Sequence, residues 1–167
     1  MLFSTYRRTR SGAAAICLGL VLALPALADG PQIQVKHSEK IGDYLTDSEG
    51  NTLYLFGKDE QGMSTCHDAC ARAWPPLLTD GAASAGAGVD ADRLSTTKRK
   101  DGTTQVTYGG WPLYRFVKDG APGDIHGQEV NGFGGEWYAV SPAGGKAEAG
   151  ETGDQSDGSS GGSGESW

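Results

Sequence analysis

Residues 53–59 read Leu-Tyr-Leu-Phe-Gly-Lys-Asp, and residues 113–119 read Leu-Tyr-Arg-Phe-Val-Lys-Asp. Five of the seven positions agree at an offset of 60, and Gly50 and Gly110 stand at the same offset. Ala73-Trp74 and Glu136-Trp137 then give each half a tryptophan, at an offset of 63. Agreement of this kind marks an internal repeat, which has to be read before any local structure. In extended chain, alternate residues share a face. Tyr54 and Phe56 therefore point one way and Leu53 and Leu55 the other, and Tyr114 and Phe116 repeat the pattern. Asp59 and Asp119 follow three residues later, where the strand ends. A carboxylate there can accept from backbone N–H groups and fix a turn. Two readings fit. One is a pair of equivalent core strands, each closed by an acid-locked turn; the other is an aromatic-acid surface that binds a ligand between the halves. Aromatics at period two favour the core reading.

Working outward, the pattern is mostly strand. Gln32–His37 reads as a first strand. Asp43–Thr46 and Thr52–Phe56 flank the turn-forming Asp47-Ser48-Glu49-Gly50-Asn51. Leu94–Lys98 and Thr103–Tyr108 flank Arg99-Lys100-Asp101-Gly102, whose Asp-Gly pair is a hairpin signal. Pro112–Val117 and Glu136–Val140 are the last two strands. One short helix is expected near residues 66–74, capped by Ser64 or Thr65 and ended by Pro75-Pro76. The expected fold is mainly β, with minor helix: two pseudo-repeated antiparallel β units packed as one small domain, with Trp74 and Trp137 sheltered between them. Halves of this size would be marginal alone. Repeat one covers about 41–78, an Ala/Gly-rich flexible linker 79–92, and repeat two about 93–142.

Both ends are compositionally distinct. Met1–Arg10 carries three arginines and no acid, an apolar run follows from Ala13, and Ala26-Leu27-Ala28 closes it. This is the order of a secretory signal peptide, with cleavage after residue 28. The run is shorter than the roughly 20 residues of a membrane span. Cys17 follows Ile16 rather than a small residue, so the lipobox is poor and argues against lipid anchoring. The chain is then exported, periplasmic or secreted, with no membrane span after cleavage. From Ala143 the sequence is Gly, Ser and acids up to Trp167, which reads as a disordered acidic tail. The whole chain of 167 residues has a net charge of −7, and loss of the three signal arginines leaves −10. Such a protein does not track nucleic acid, whose backbone demands a basic surface.

With Tyr54, Phe56, Asp59 and Tyr114, Phe116, Asp119 in place, the chain resembles the secreted-repeat family of predicted lipoproteins, defined by a Y-x-(F/W/Y)-x-x-D motif. The resemblance takes in Cys66, Cys70 and Trp74-Pro75-Pro76-Leu77 in the first copy. In the second it takes in Pro112-Leu113-Tyr114 and Gly123-Asp124 through Trp137. It implies an exported tandem-repeat envelope protein and no particular biochemical activity.

The remaining chemistry centres on Ser64-Thr65-Cys66-His67-Asp68-Ala69-Cys70. His67 follows the first cysteine rather than the second, which excludes haem attachment through C-x-x-C-H. In an exported chain the pair reads first as a structural disulfide, with Cys66 at or before the helix N-cap. A labile redox pair and a metal site stay open beside it. His67 is a weak metal candidate, as are Asp119, Asp124 and Glu129 for a hard cation. The run Gly127–Gly135 lacks the Lys-Ser/Thr of a phosphate loop and reads as tight turns. No cofactor is expected, and no catalytic constellation emerges around His37, His67 or His126. Three functions remain: a non-enzymatic module binding an envelope protein, a redox or electron-transfer accessory using Cys66/Cys70 or a bound centre, and a small-ligand or metal-binding protein using the groove between the repeats.

Overall fold

The computed structural model describes residues 30–148. The expected signal segment and residues 149–167 of the tail lie outside the described residues. The fold is mainly β, as expected, and its strands are short. They are β1 (Gln32–Ser38), β2 (Gly42–Asp47), β3 (Tyr54–Phe56), β4 (Ser84–Ala85), β5 (Leu94–Lys98), β6 (Thr104–Tyr108), β7 (Trp111–Pro112), β8 (Val130–Gly132) and β9 (Gly135–Ala139). Among the described residues one α-helix, α1 (Ala69–Ala73), follows β3, and a single 3-10 turn, Ala91–Arg93, precedes β5. Three three-stranded sheets run β2-β1-β4, β3-β9-β8 and β5-β6-β7.

The middle sheet joins the repeats. β3 of the first pairs antiparallel with β9 of the second, with Tyr54 opposite Ala139 and Phe56 opposite Trp137. Beside it, Tyr54 and Tyr114 exchange both backbone bonds, at 2.8 and 3.0 Å. The chain therefore crosses itself at the two motif tyrosines. The period-two reading holds, but both faces of β3 are buried. Tyr54 and Phe56 enter one cluster with Trp74, Tyr114, Phe116 and Trp137. Leu53 and Leu55 enter another with Ile33, Leu45, Val106, Leu113 and Val140.

Four local expectations are corrected. First, Pro112–Val117 is not one strand. Only Trp111–Pro112 ladders with β6; Leu113, Tyr114 and Arg115 then donate to Val106, Tyr54 and Pro75 in turn, because the segment runs between three neighbours. Second, α1 is shorter than residues 66–74, and neither Ser64 nor Thr65 caps it. Asp68 stands at its N-cap without a side-chain bond, and both hydroxyls are used elsewhere. Third, the stretch 79–92, read as flexible, lies against β1. Ser84–Ala85 pair parallel with Gln32–Ile33, and Gly86 donates to Ile33 O. Its order rests on backbone bonding, which composition does not reveal. Fourth, residues 143–148, expected to belong to the tail, fold back on β9. Ala147 donates to Ala139 O at 2.7 Å and is buried in the aromatic cluster.

Candidate functional site

The repeated residues meet at the centre of the molecule. Asp59 stands just after β3, as expected, whereas Asp119 follows irregular chain; in both, the N–H of the aspartate donates to the carbonyl three residues back, Phe56 O or Phe116 O. Asp59 Oδ1 accepts from Thr65 N at 2.7 Å and from the Thr65 hydroxyl at 2.8 Å. Asp119 Oδ1 accepts from His126 N at 2.9 Å. The expected acid-locked turns are therefore present. The second oxygen of each acid crosses to the other repeat: Tyr54 donates to Asp119 Oδ2 at 2.7 Å, and Tyr114 donates to Asp59 Oδ2 at 2.6 Å.

The rings cross in the same way. Phe56 stacks on Trp137 with centroids 4.1 Å apart, and Phe116 stacks on Trp74 at 3.9 Å. The two tryptophans stack on one another at 3.9 Å and 2°. Four rings thus form one column, Phe56–Trp137–Trp74–Phe116, with the two indoles at its centre. Tyr54 meets Trp74 edge-on at 5.4 Å and Tyr114 meets Trp137 edge-on at 5.1 Å, an arrangement that suits the ring quadrupoles. The column needs close backbone approach at two glycines. A Cβ on Gly127 would lie 2.7 Å from the Tyr54 ring and 2.9 Å from Trp74, and one on Gly135 would lie 2.8 Å from Phe56.

The electrostatics follow from burial. Desolvation pushes the phenols of Tyr54 and Tyr114 far above their ordinary range, and the facing carboxylates push them further. Burial also raises Asp59 and Asp119, against the opposing bonds from Tyr114 and Thr65 and from Tyr54 and His126. The acids differ in their cations. Asp59 lies beside buried Arg99, whose guanidinium donates to Ser64 Oγ at 2.8 Å, to Gln105 Oε1 at 2.6 Å and to Cys66 O at 2.6 Å. Tyr114 OH also bonds Ser64, at 2.7 Å. Asp119 instead has the exposed His126, Nδ1 to Oδ1 3.4 Å.

Cys66 and Cys70 form a disulfide, with Cα atoms 5.2 Å apart. Cys66 precedes the helix, as its spacing required, and both cysteines are buried against the aromatic column. The metal candidates do not converge. His67 Nε2 is buried without a partner. Asp119 and Asp124 both approach His126, but Asp124 Oδ2 accepts from Gly120 N and Ala121 N. Glu129 is exposed. Among the described residues no group of three His, Cys, Asp or Glu is placed to hold an ion.

Sequence reasoning missed three features. Arg99 was read only as a turn residue, because nothing local marks a hairpin arginine as buried. Asp47, buried under its turn, pairs with Arg115 of the other repeat at 2.6 Å. Finally, a cavity of about 430 Å³ opens between the repeats, with Leu55 and Lys58 from one and Trp111, Glu136 and Tyr138 from the other. Tyr138 donates to Glu136 Oε2 at 2.7 Å, and Lys146 Nζ lies 3.7 Å from the Tyr138 ring centroid.

A family model described as a secreted repeat of unknown function matches residues 37–78 and 95–141, more than half of the chain. The two matches coincide with the two motif copies and their tryptophans. Compared with curated proteins and with solved structures, the chain matches none. No helix among the described residues is long and apolar enough to cross a membrane.

Proposed function

The chain belongs to the family of secreted repeats of unknown function, and on that premise we propose that it is an exported, non-enzymatic binding module. The observation that carries this reading is the fate of the motif. Tyr54, Tyr114, Asp59 and Asp119 all spend their polar atoms on each other and on adjoining turns. They supply rigidity rather than a free acid, base or nucleophile. Burial of Cys66 and Cys70 likewise favours a structural bridge over an exchanging one, since exchange needs access to sulfur. Recognition then falls to the surface the lock holds in place, and the occupant is an envelope protein or a small ligand. No cofactor is required.

Native mass spectrometry of residues 29–167 purified gently from the envelope tests this, paired with thiol alkylation. The expected result is a chain with an intact bridge that resists alkylation and retains a ligand or partner mass. Alkylation of the folded chain, or a co-purifying chromophore, overturns it.

One observation favours a second reading, a redox accessory. Two stacked indoles flanked by tyrosines hydrogen-bonded to carboxylates could lose an electron to an external one-electron oxidant, with the Tyr54 proton passing to Asp119. Transient absorption after photo-oxidation reads this directly. A long-lived tyrosyl signal that Tyr54→Phe removes supports it, and its absence discards it.

A further inference from the structure

We infer that the cavity between the repeats binds a small ring-bearing carboxylate, with the ring against Trp111 and the carboxylate between Lys58 and Lys146. The inference rests on the binding-module reading and names its ligand class. The cavity, at about 430 Å³, is in the range of small-ligand sites. Its floor is Leu55, fully buried below, and its wall is half-buried Trp111. Tyr138 is packed into the buried leucine cluster and its ring carries Lys146 on one face, so the aromatic surface left for a ligand is that of Trp111.

Charge selects the anion. The chain as a whole is acidic, at −7, yet two lysines stand at this mouth. Among the described residues neither Lys58 nor Lys146 makes an ion pair. Lys58 is held beside the β8–β9 turn, its Nζ 3.2 Å from where a Gly134 Cβ would lie. Lys146 is held by cation–π contact over Tyr138. The one carboxylate here, Glu136, is engaged by the Tyr138 hydroxyl, which leaves the mouth one charge positive. Gly57, Gly134, Gly135 and Gly145 also line the mouth, and a Cβ on Gly145 would meet nothing within 4 Å. Beside it, Phe133 and Gly134 form the hairpin tip at φ 56° and 85°, and Phe133 is half exposed.

The other cavities lack this combination. One is lined by Thr79, Asp80, Ser95, Thr96 and Thr104 without an aromatic group. Another, beside Glu39, Lys40, Asp124 and His126, has no indole or phenyl ring in its lining and sets two carboxylates against its one lysine.

The test is an amide and indole N–H titration of ¹⁵N-labelled residues 29–167 with indole-3-acetate, and with indole-3-acetamide as the uncharged match. The acid should give saturable shifts at Gly134, Gly135, Gly145 and the Trp111 indole. The amide should bind about two- to fivefold more weakly, the difference expected for loss of an ion pair to an exposed lysine. Lys58→Gln and Lys146→Gln should each weaken the acid and leave the amide unchanged, whereas Trp111→Leu should weaken both. These lysines are exposed, so the folded shift pattern is retained. No saturable shift at these positions, equal affinity for acid and amide, or lysine variants without effect overturns the ligand class. Saturable binding at other positions overturns the site while leaving the binding-module reading intact; that reading falls only on the alkylation and mass result above.

Discussion

Tyr54 and Asp119 stand 65 residues apart in sequence, and the phenol of one donates to the carboxylate of the other at 2.7 Å. Tyr114 and Asp59 repeat the arrangement with the repeats exchanged. Neither repeat satisfies its own tyrosine. The polar groups of each motif are completed only when both copies are folded together, and the crossed ring stacks obey the same rule. Two copies that depend on each other in this way should unfold as one unit.

Mutational coupling tests this crossing. Tyr54→Phe and Tyr114→Phe should each cost about 1.5–3 kcal/mol, the range for a hydrogen bond to a charged partner. In double-mutant cycles, Tyr54→Phe should couple strongly to Asp119→Asn and weakly to Asp59→Asn, although Asp59 belongs to its own repeat. Urea unfolding of the single and paired variants measures both. Stronger coupling within a repeat than across would contradict the crossed lock.

The same groups set an unusual pH response. The folded-state pKa values of Asp59 and Asp119 are raised above 3.8. Their contribution is therefore greatest below the unfolded value and is lost as pH rises through the folded one. Wild type should gain stability relative to Asp59→Asn and Asp119→Asn as pH falls from neutral toward 3.8. On the alkaline side, Tyr54 and Tyr114 are raised above 10.0, so stability present below that value falls as the unfolded chain ionises. Phenolate absorbance should show these two tyrosines ionising only as the chain unfolds. Tyr54→Phe and Tyr114→Phe should flatten the alkaline loss.

The disulfide closes a short loop, with a sequence separation of 4. Short loops restrict the unfolded chain only modestly. Replacing Cys66 and Cys70 together by serine should cost about 2 kcal/mol and leave a folded domain. A thermal melt of the double variant reads this directly. Loss of folding altogether would mean that the bridge carries more than the loop.

Arg99 is a sharper weak point. Its guanidinium satisfies Ser64, Gln105 and the Cys66 carbonyl at once, and so connects the hairpin of the second repeat to the cysteine loop of the first. Arg99→Met leaves these buried groups unpaired and should cost about 3 kcal/mol or more. Arg99→Lys should rescue little, since an ammonium lacks the planar fork that reaches all three. Denaturant midpoints of the two variants decide it.

The repeat was legible because two segments that fill equivalent places around one aromatic column keep their large residues in register. Tyr54, Phe56 and Leu55 read correctly from period two alone. The turn function of Asp59 and Asp119 read correctly because it is local. Their partners did not, because nothing near Tyr54 in sequence says which acid it faces. Arg99 and the pairing of Asp47 with Arg115 were hidden for the same reason. Residues 79–92 and 143–148 were misread because their order comes from backbone bonds to β1 and β9, and Ala/Gly composition reports only the lack of side chains to bury.

The glycine run before Trp137 gains a physical meaning from the column. Gly127 is buried, and a Cβ there would meet the Tyr54 ring at 2.7 Å and Trp74 at 2.9 Å. Neither ring can retreat: Tyr54 is tied to Asp119, and Trp74 is held between Phe116 and Trp137. Gly127→Ala should therefore destabilise by about 1–3 kcal/mol through overpacking, although alanine is otherwise the mildest replacement. It should also disturb the exciton signal of the paired indoles in circular dichroism. Gly62→Ala is the control, since its Cβ would meet nothing within 4 Å. Any cost there reflects its φ of 73° alone and should leave the exciton signal unchanged. If Gly127→Ala also leaves that signal unchanged, the close approach of the Gly127 backbone is not what keeps the rings in register.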